Sequence, residues 1–248
     1  MLFYTLKRAF ISKEYLIALI GTVIMCYICA KDYMNDRNVQ YAFVIELIIN
    51  LSMFKKVMVF FSALPFVCSY CKDNNSRYIN SILVRGNKNA YIISNIISCA
   101  LSSFSVVFVG VILFAISISF KFKNNSAVEL VYCNSILKNQ ALYMLILVST
   151  FALYCTVWTI AGFAFSSILP NMYVALGTPL IFGYLLEELT YKLPDAINLY
   201  MLSHSAKIIN GSAVLNYIYT IFVFLLLITS FSIVFAYFVK RRIRNEMA

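Results

Sequence analysis

Residues 92–120 read IISNIISCALSSFSVVFVGVILFAISISF, with no charged side chain in the run. A helix rises about 1.5 Å per residue, so about 20 apolar residues cross a hydrocarbon core about 30 Å thick. This run is long enough to tilt or to project from the bilayer. Five further runs follow the same rule: Tyr15–Ala30; Lys56–Tyr70, with Pro65 inside it as a kink; Ala141–Ser167; Ile168–Leu186, with Pro170 near its start and Pro179 near its middle; and Ala213–Val239. Prolines are tolerated in such helices because neighbours satisfy the freed carbonyls, and the runs lack the apolar–polar alternation of a membrane β-barrel. A soluble domain is excluded, because only 12% of the residues are charged against about 25% in soluble domains. The expected fold is one all-α integral membrane domain over residues 1–248, with six transmembrane helices.

Lysine and arginine near the helix ends orient such a bundle. With both termini on the cytoplasmic side, that side holds Lys7, Arg8, Lys13, Lys72, Arg77, Arg85, Lys88, Lys240, Arg241, Arg242 and Arg244, which is 11 of the 20 basic residues. The split is narrow, and density decides it: KRRIR abuts the sixth run directly, whereas the outer basic residues are spread over longer segments that hold most of the acids. The basic start and first apolar run resemble a signal peptide, but no A-x-A-like site follows and five more spans do. Residues 1–13 put Leu2, Phe3, Leu6 and Phe10 on one helical face and Lys7 and Arg8 on another, the pattern of an interfacial helix on the inner leaflet. Of the seven cysteines, Cys26 with Cys29 and Cys68 with Cys71 have C-x-x-C spacing, but this topology sets the pairs at opposite ends of their helices. One zinc site cannot use both, so they read as small packing residues and no metal is expected.

The chain has no G-x-x-x-x-G-K-[ST] sequence, hence no phosphate-binding loop of its own, and no activity as an enzyme is expected. The span centres carry no Asp, Glu, Lys, Arg or His apart from Lys55 and Lys56 at the edge of the second span, which argues against an ion-coupled transporter. Glu187-Glu188 resembles the Glu-Glu of the CAAX-protease-like intramembrane metalloproteases. That family needs a later Arg, where Lys192 stands here, and more than one histidine, whereas His204 is alone. The two acids read instead as the exit of the fifth span into water.

Between the second and third spans lies a polar island, CKDNNSRYINSILVRGNKNAY, with Lys72, Arg77, Arg85 and Lys88 against the single acid Asp73. Asp73, Asn74 and Asn75 are good helix N-caps and Gly86 a good C′ residue, so the pattern predicts a short helix within 73–86. Tyr78, Ile79, Ile82 and Leu83 make one apolar stripe on it. That stripe needs a cover, which is either anionic headgroups or a groove on a protein partner, and physics alone leaves both open.

The order of these features, with the loop closing on Arg85, Tyr91, Ile92 and Ser94, resembles the ABC-2 type permeases. Where many relatives have Lys after that serine, this chain has Asn95. The resemblance implies that the island is a coupling helix, with Arg77, Tyr78, Ile79, Ile82, Leu83 and Arg85 contacting a separate ATPase subunit. It further implies two permease subunits, identical or closely related, and two ATPase subunits that bind the ATP and magnesium; nucleic acid is no partner. Similar half-size permeases export, or confer immunity to, amphipathic peptides such as lantibiotics and phenol-soluble modulins. An amphipathic peptide cargo leaving across a bacterial cytoplasmic membrane is the expected function; a metalloprotease and a channel or scaffold without an ATPase are the alternatives.

Residues 187–212 are too apolar for a free outer loop. Pro194 suits a first helical position and Asp195 the positive helix end, so the segment reads as an interfacial or re-entrant pair of helices, or as one helix lying flat. Ser94, Ser98, Ser102 and Ser105 share a face of the third span, and Ser149, Thr156, Thr159 and Gly162 form a comparable set on the fourth. Small residues so spaced let helices approach closely in lipid, and packing is favoured over contact with a translocating cargo.

Overall fold

The computed structural model describes residues 1–31, 33, 41–76, 87–120, 140–190, 198, 202 and 213–247. Among these, all regular structure is helical: α1 (Leu2–Phe10), α2 (Lys13–Ala30), α3 (Tyr41–Asn50), α4 (Ser52–Ala63), α5 (Ser69–Asn75), α6 (Lys88–Ser119), α7 (Gln140–Ile168), α8 (Met172–Thr190) and α9 (Ala213–Met247). Four segments are long and apolar enough to cross a membrane: Lys13–Ala30, Lys88–Ser119, Leu142–Ile168 and Leu215–Asn245. The chain is therefore an all-helical, membrane-embedded protein.

Two apolar clusters stack along the bundle. The basal one joins Ala9, Phe66, Tyr91, Phe163, Ala175 and Val239, and the distal one joins Cys26, Ile48, Phe54, Phe114, Trp158 and Phe224. Helix α6 enters the basal cluster first and the distal one later, whereas α7 and α9 run the other way, as does the stretch from α3 through α5. Cys26 and Cys71 accordingly lie in opposite clusters. Helix α7 is the axis: 78% of its span window is buried, against 22% for α2 and 11% for α9, so those two present their apolar sides outward.

Small residues set the closest helix approaches. A Cβ added to Gly110 of α6 would lie 2.1 Å from Thr22 Oγ1 of α2, and one on Gly162 of α7 would lie 2.5 Å from Pro179 Cγ of α8. Only a hydrogen at those positions allows these backbones to meet.

Four expectations change. The second expected span, Lys56–Tyr70, is not one helix: α4 starts at Ser52, turns occupy 64–68 around Pro65, and α5 resumes at Ser69. Pro65 has no N–H for the ladder, so the break falls there. Residues 41–50, which fall between the first two expected spans, form α3, whose Val44, Ile45, Ile48 and Ile49 are buried in the distal cluster. Pro170 lies in the linker between α7 and α8, not inside a helix, and α8 runs past Glu187 and Glu188 to Thr190. The N-terminal segment is helical as α1, but Thr5 and Ala9 are the residues buried against the bundle, while Phe3 of the expected apolar face is 81% exposed.

Candidate functional site

The stretch expected to form the island helix, with Arg77, Tyr78, Ile79, Ile82, Leu83 and Arg85, lies outside the described residues, as do Pro194 and Asp195. Both roots of the island are described. Asp73, Asn74 and Asn75, expected as its N-caps, form the last turn of α5 instead. On the far side Asn87 caps α6, its Oδ1 accepting the Asn89 N–H at 2.9 Å.

Asp73 joins these roots. Its Oδ1 accepts from Arg8 Nη1 of α1 at 2.6 Å, and its Oδ2 accepts from the Tyr91 hydroxyl of α6 at 3.0 Å. Asp73 is 4% and Tyr91 2% exposed. A buried carboxylate is tolerated only when its oxygens are satisfied, and here a guanidinium and a phenol satisfy them from two other helices. One turn deeper, Ser98 Oγ donates to Thr5 Oγ1 at 2.9 Å and the Thr5 hydroxyl approaches the Ser94 carbonyl, so α1 is sutured to α6 by hydroxyls and to α5 by charge. Asn95, where the resembled family often has Lys, is buried at the same level.

Other basal contacts are weaker. Lys72 donates to Glu14 at 2.9 Å, but both side chains are nearly half exposed, and such pairs are worth about 0–1 kcal/mol. Arg242 donates to the Ile168 carbonyl at the end of α7, a position where the helix dipole favours a cation. A groove of about 670 Å³ opens beside the island between Glu14, Leu64, Cys68, Lys72, Pro170 and Tyr173.

The serine row of α6 faces α1 and α2: besides Ser94 and Ser98, Ser102 is buried and Ser105 accepts from the Tyr15 hydroxyl at 3.1 Å. On α7, Thr156 donates to its own helix at Ala152, and Thr159 shares a 2.8 Å hydrogen bond with Ser62 of α4. Ser149 bonds within α7. Within the single chain these residues make helix contacts.

At the distal end the two acids diverge. Glu187 is half-buried and accepts a hydrogen bond from the Tyr154 hydroxyl of α7, while Glu188 is exposed. Lys55, expected at a span edge, is 2% exposed and within electrostatic reach of Glu187. Glu46 of α3 is likewise buried, facing Tyr143. Ionisable groups thus do enter the bundle interior. The clamp around Asp73 and the inward Lys55 were both unforeseen: nothing in sequence spacing pairs positions 8, 73 and 91, whereas a lysine set among Phe54, Val57 and Met58 is a readable sign of burial.

These features define a membrane-embedded helical bundle with a basic end whose polar loop is clamped at both roots. No protein-family model, curated protein or solved structure matches the chain.

Proposed function

We propose that the chain is the membrane subunit of an ATP-driven exporter of the ABC-2 type, with six crossings and both termini and the island in the cytoplasm of a bacterial cell. The alternating runs of α3–α5, α6, α7 and α9 between the distal and basal clusters support that topology. The observation that carries the reading is the clamp on Asp73. A loop that receives a push from a separate motor must be fixed to the elements it moves, and Asp73 fixes the island's roots to α1, α5 and α6 together. In this reading two such chains and two ATPase subunits form the working unit, and an amphipathic peptide is the cargo. The large apolar surfaces of α2 and α9 suit lipid and a second permease copy. The divergence of Glu187 and Glu188 weighs against a Glu-Glu protease centre.

The test is nucleotide turnover. The purified chain should hydrolyse no ATP, and should support hydrolysis and cargo movement in vesicles only with its motor subunit; turnover by the chain alone would refute the reading.

A further inference from the structure

Helix α8 is built in two halves. Its basal half packs on α7 where Ala175 and Pro179 meet Gly162. At its centre Pro179 has no N–H to give the Ala175 carbonyl, and a Cβ added at Gly177 would meet nothing within 4 Å. Proline without a ladder bond beside an unpacked glycine is the composition of a helix hinge. The distal half turns Ile181 (58%), Tyr184 (49%) and Leu189 (67% exposed) outward, while Phe182 sets its ring 4.4 Å from that of Phe165 on α7.

Polar ties at the tip of this half stand out against that background. Antiparallel pairing sets Trp158 opposite Gly183 and Tyr154 opposite Glu187. The Tyr154 hydroxyl donates to the Glu187 carboxylate, and Lys56 Nζ of α4 sits 4.7 Å from the centre of the Tyr184 ring. Buried Lys55 reaches the same corner from α4, and fully buried Cys155 lies close enough to feel both Lys55 and Glu187.

We infer that residues 180–190 form a lid hinged at Gly177–Pro179 and latched at its tip by Glu187 to Tyr154, with Lys56 against Tyr184 as the second tie. With the latch closed, Cys155 and the aromatic rings of the distal cluster are sealed from water. When it opens, the lid swings away from α4 and α7, and water enters between them. In the permease reading this is the outward gate, but the lid belongs to the isolated chain and is tested without a motor or a cargo.

Cys155 and Cys99 provide the readout, since both are fully buried, one beside the latch in the distal cluster and the other in the basal cluster. The full chain in lipid nanodiscs is exposed to a membrane-impermeant maleimide, and each modified cysteine is identified by mass spectrometry. Tyr154→Phe removes one oxygen and little volume. It should speed labelling of Cys155 about tenfold or more, the shift expected on losing a hydrogen bond to a charged group. Glu187→Gln should act in the same direction and less strongly, and Gly177→Ala in the Tyr154→Phe background should slow labelling again by stiffening the hinge. Cys99 should stay unlabelled throughout. Unchanged Cys155 labelling in both latch variants, or a parallel rise of Cys99 that marks general loosening, would overturn the lid.

Discussion

Asp73→Ala removes the centre of the basal clamp, and its cost follows from what each partner loses. Tyr91 is 2% exposed and its hydroxyl has Asp73 Oδ2 as its acceptor at 3.0 Å, so the change strands a buried donor at about 1–3 kcal/mol. The Arg8 side chain is 32% exposed and rehydrates, so its share is that of a surface pair, about 0–1 kcal/mol. The expected loss is therefore about 1–4 kcal/mol, most of it through Tyr91. Tyr91→Phe in turn leaves the buried Asp73 Oδ2 without its donor and should also cost about 1–3 kcal/mol. Because the two changes share one bond, the double variant should cost about 1 kcal/mol or more less than the sum of the singles. Unfolding in mixed micelles by SDS titration, followed by far-UV circular dichroism, measures all three. Additive effects, or an Asp73→Ala variant as stable as wild type, would refute the claim that this bond ties the island's roots.

Gly162→Ala should destabilise the bundle by about 1–3 kcal/mol, since its Cβ would sit 2.5 Å from Pro179 Cγ, whereas Gly177→Ala should stabilise by up to about 1 kcal/mol because its site is open; the same titration decides. Thr159→Val should cost about 1 kcal/mol by leaving Ser62 without its partner on α7, and a Ser62→Ala, Thr159→Val pair should recover part of it. In a cysteine-free chain, a cysteine at position 246 should label only from the cytoplasm and one at 195 only from outside, and the reverse pattern would invert the topology.

The helical class and the main crossings were legible because a run such as 92–120 leaves the backbone one way to satisfy itself in lipid. Helix α1 was legible from its two faces, though the face that docks is the small one, Thr5 and Ala9, because hydroxyls there meet Ser94 and Ser98. Helix α3 was not, since ten residues are too few to span and Glu46 reads as a surface acid. Its burial depends on α2, α6 and α7 closing over it, which is tertiary information. The clamp escaped for the same reason: Arg8, Asp73 and Tyr91 look like separate interfacial residues until three helices bring them together. At α8, Pro170 and Pro179 look alike in sequence, yet one ends a connection and the other sits within a helix.

The central claim is that the island delivers the work of a separate motor, and its most direct measurement is co-purification of the motor with the triple variant Ile79→Asp, Ile82→Asp, Leu83→Asp. Truncating an apolar anchor buried in a partner groove costs about 2 kcal/mol or more, and three carboxylates placed there should cost at least as much. The account predicts that the wild-type chain retains an ATPase subunit through purification, and that the triple variant folds with unchanged stability but loses both that subunit and transport. A triple variant that keeps its ATPase and transports at the wild-type rate would contradict it.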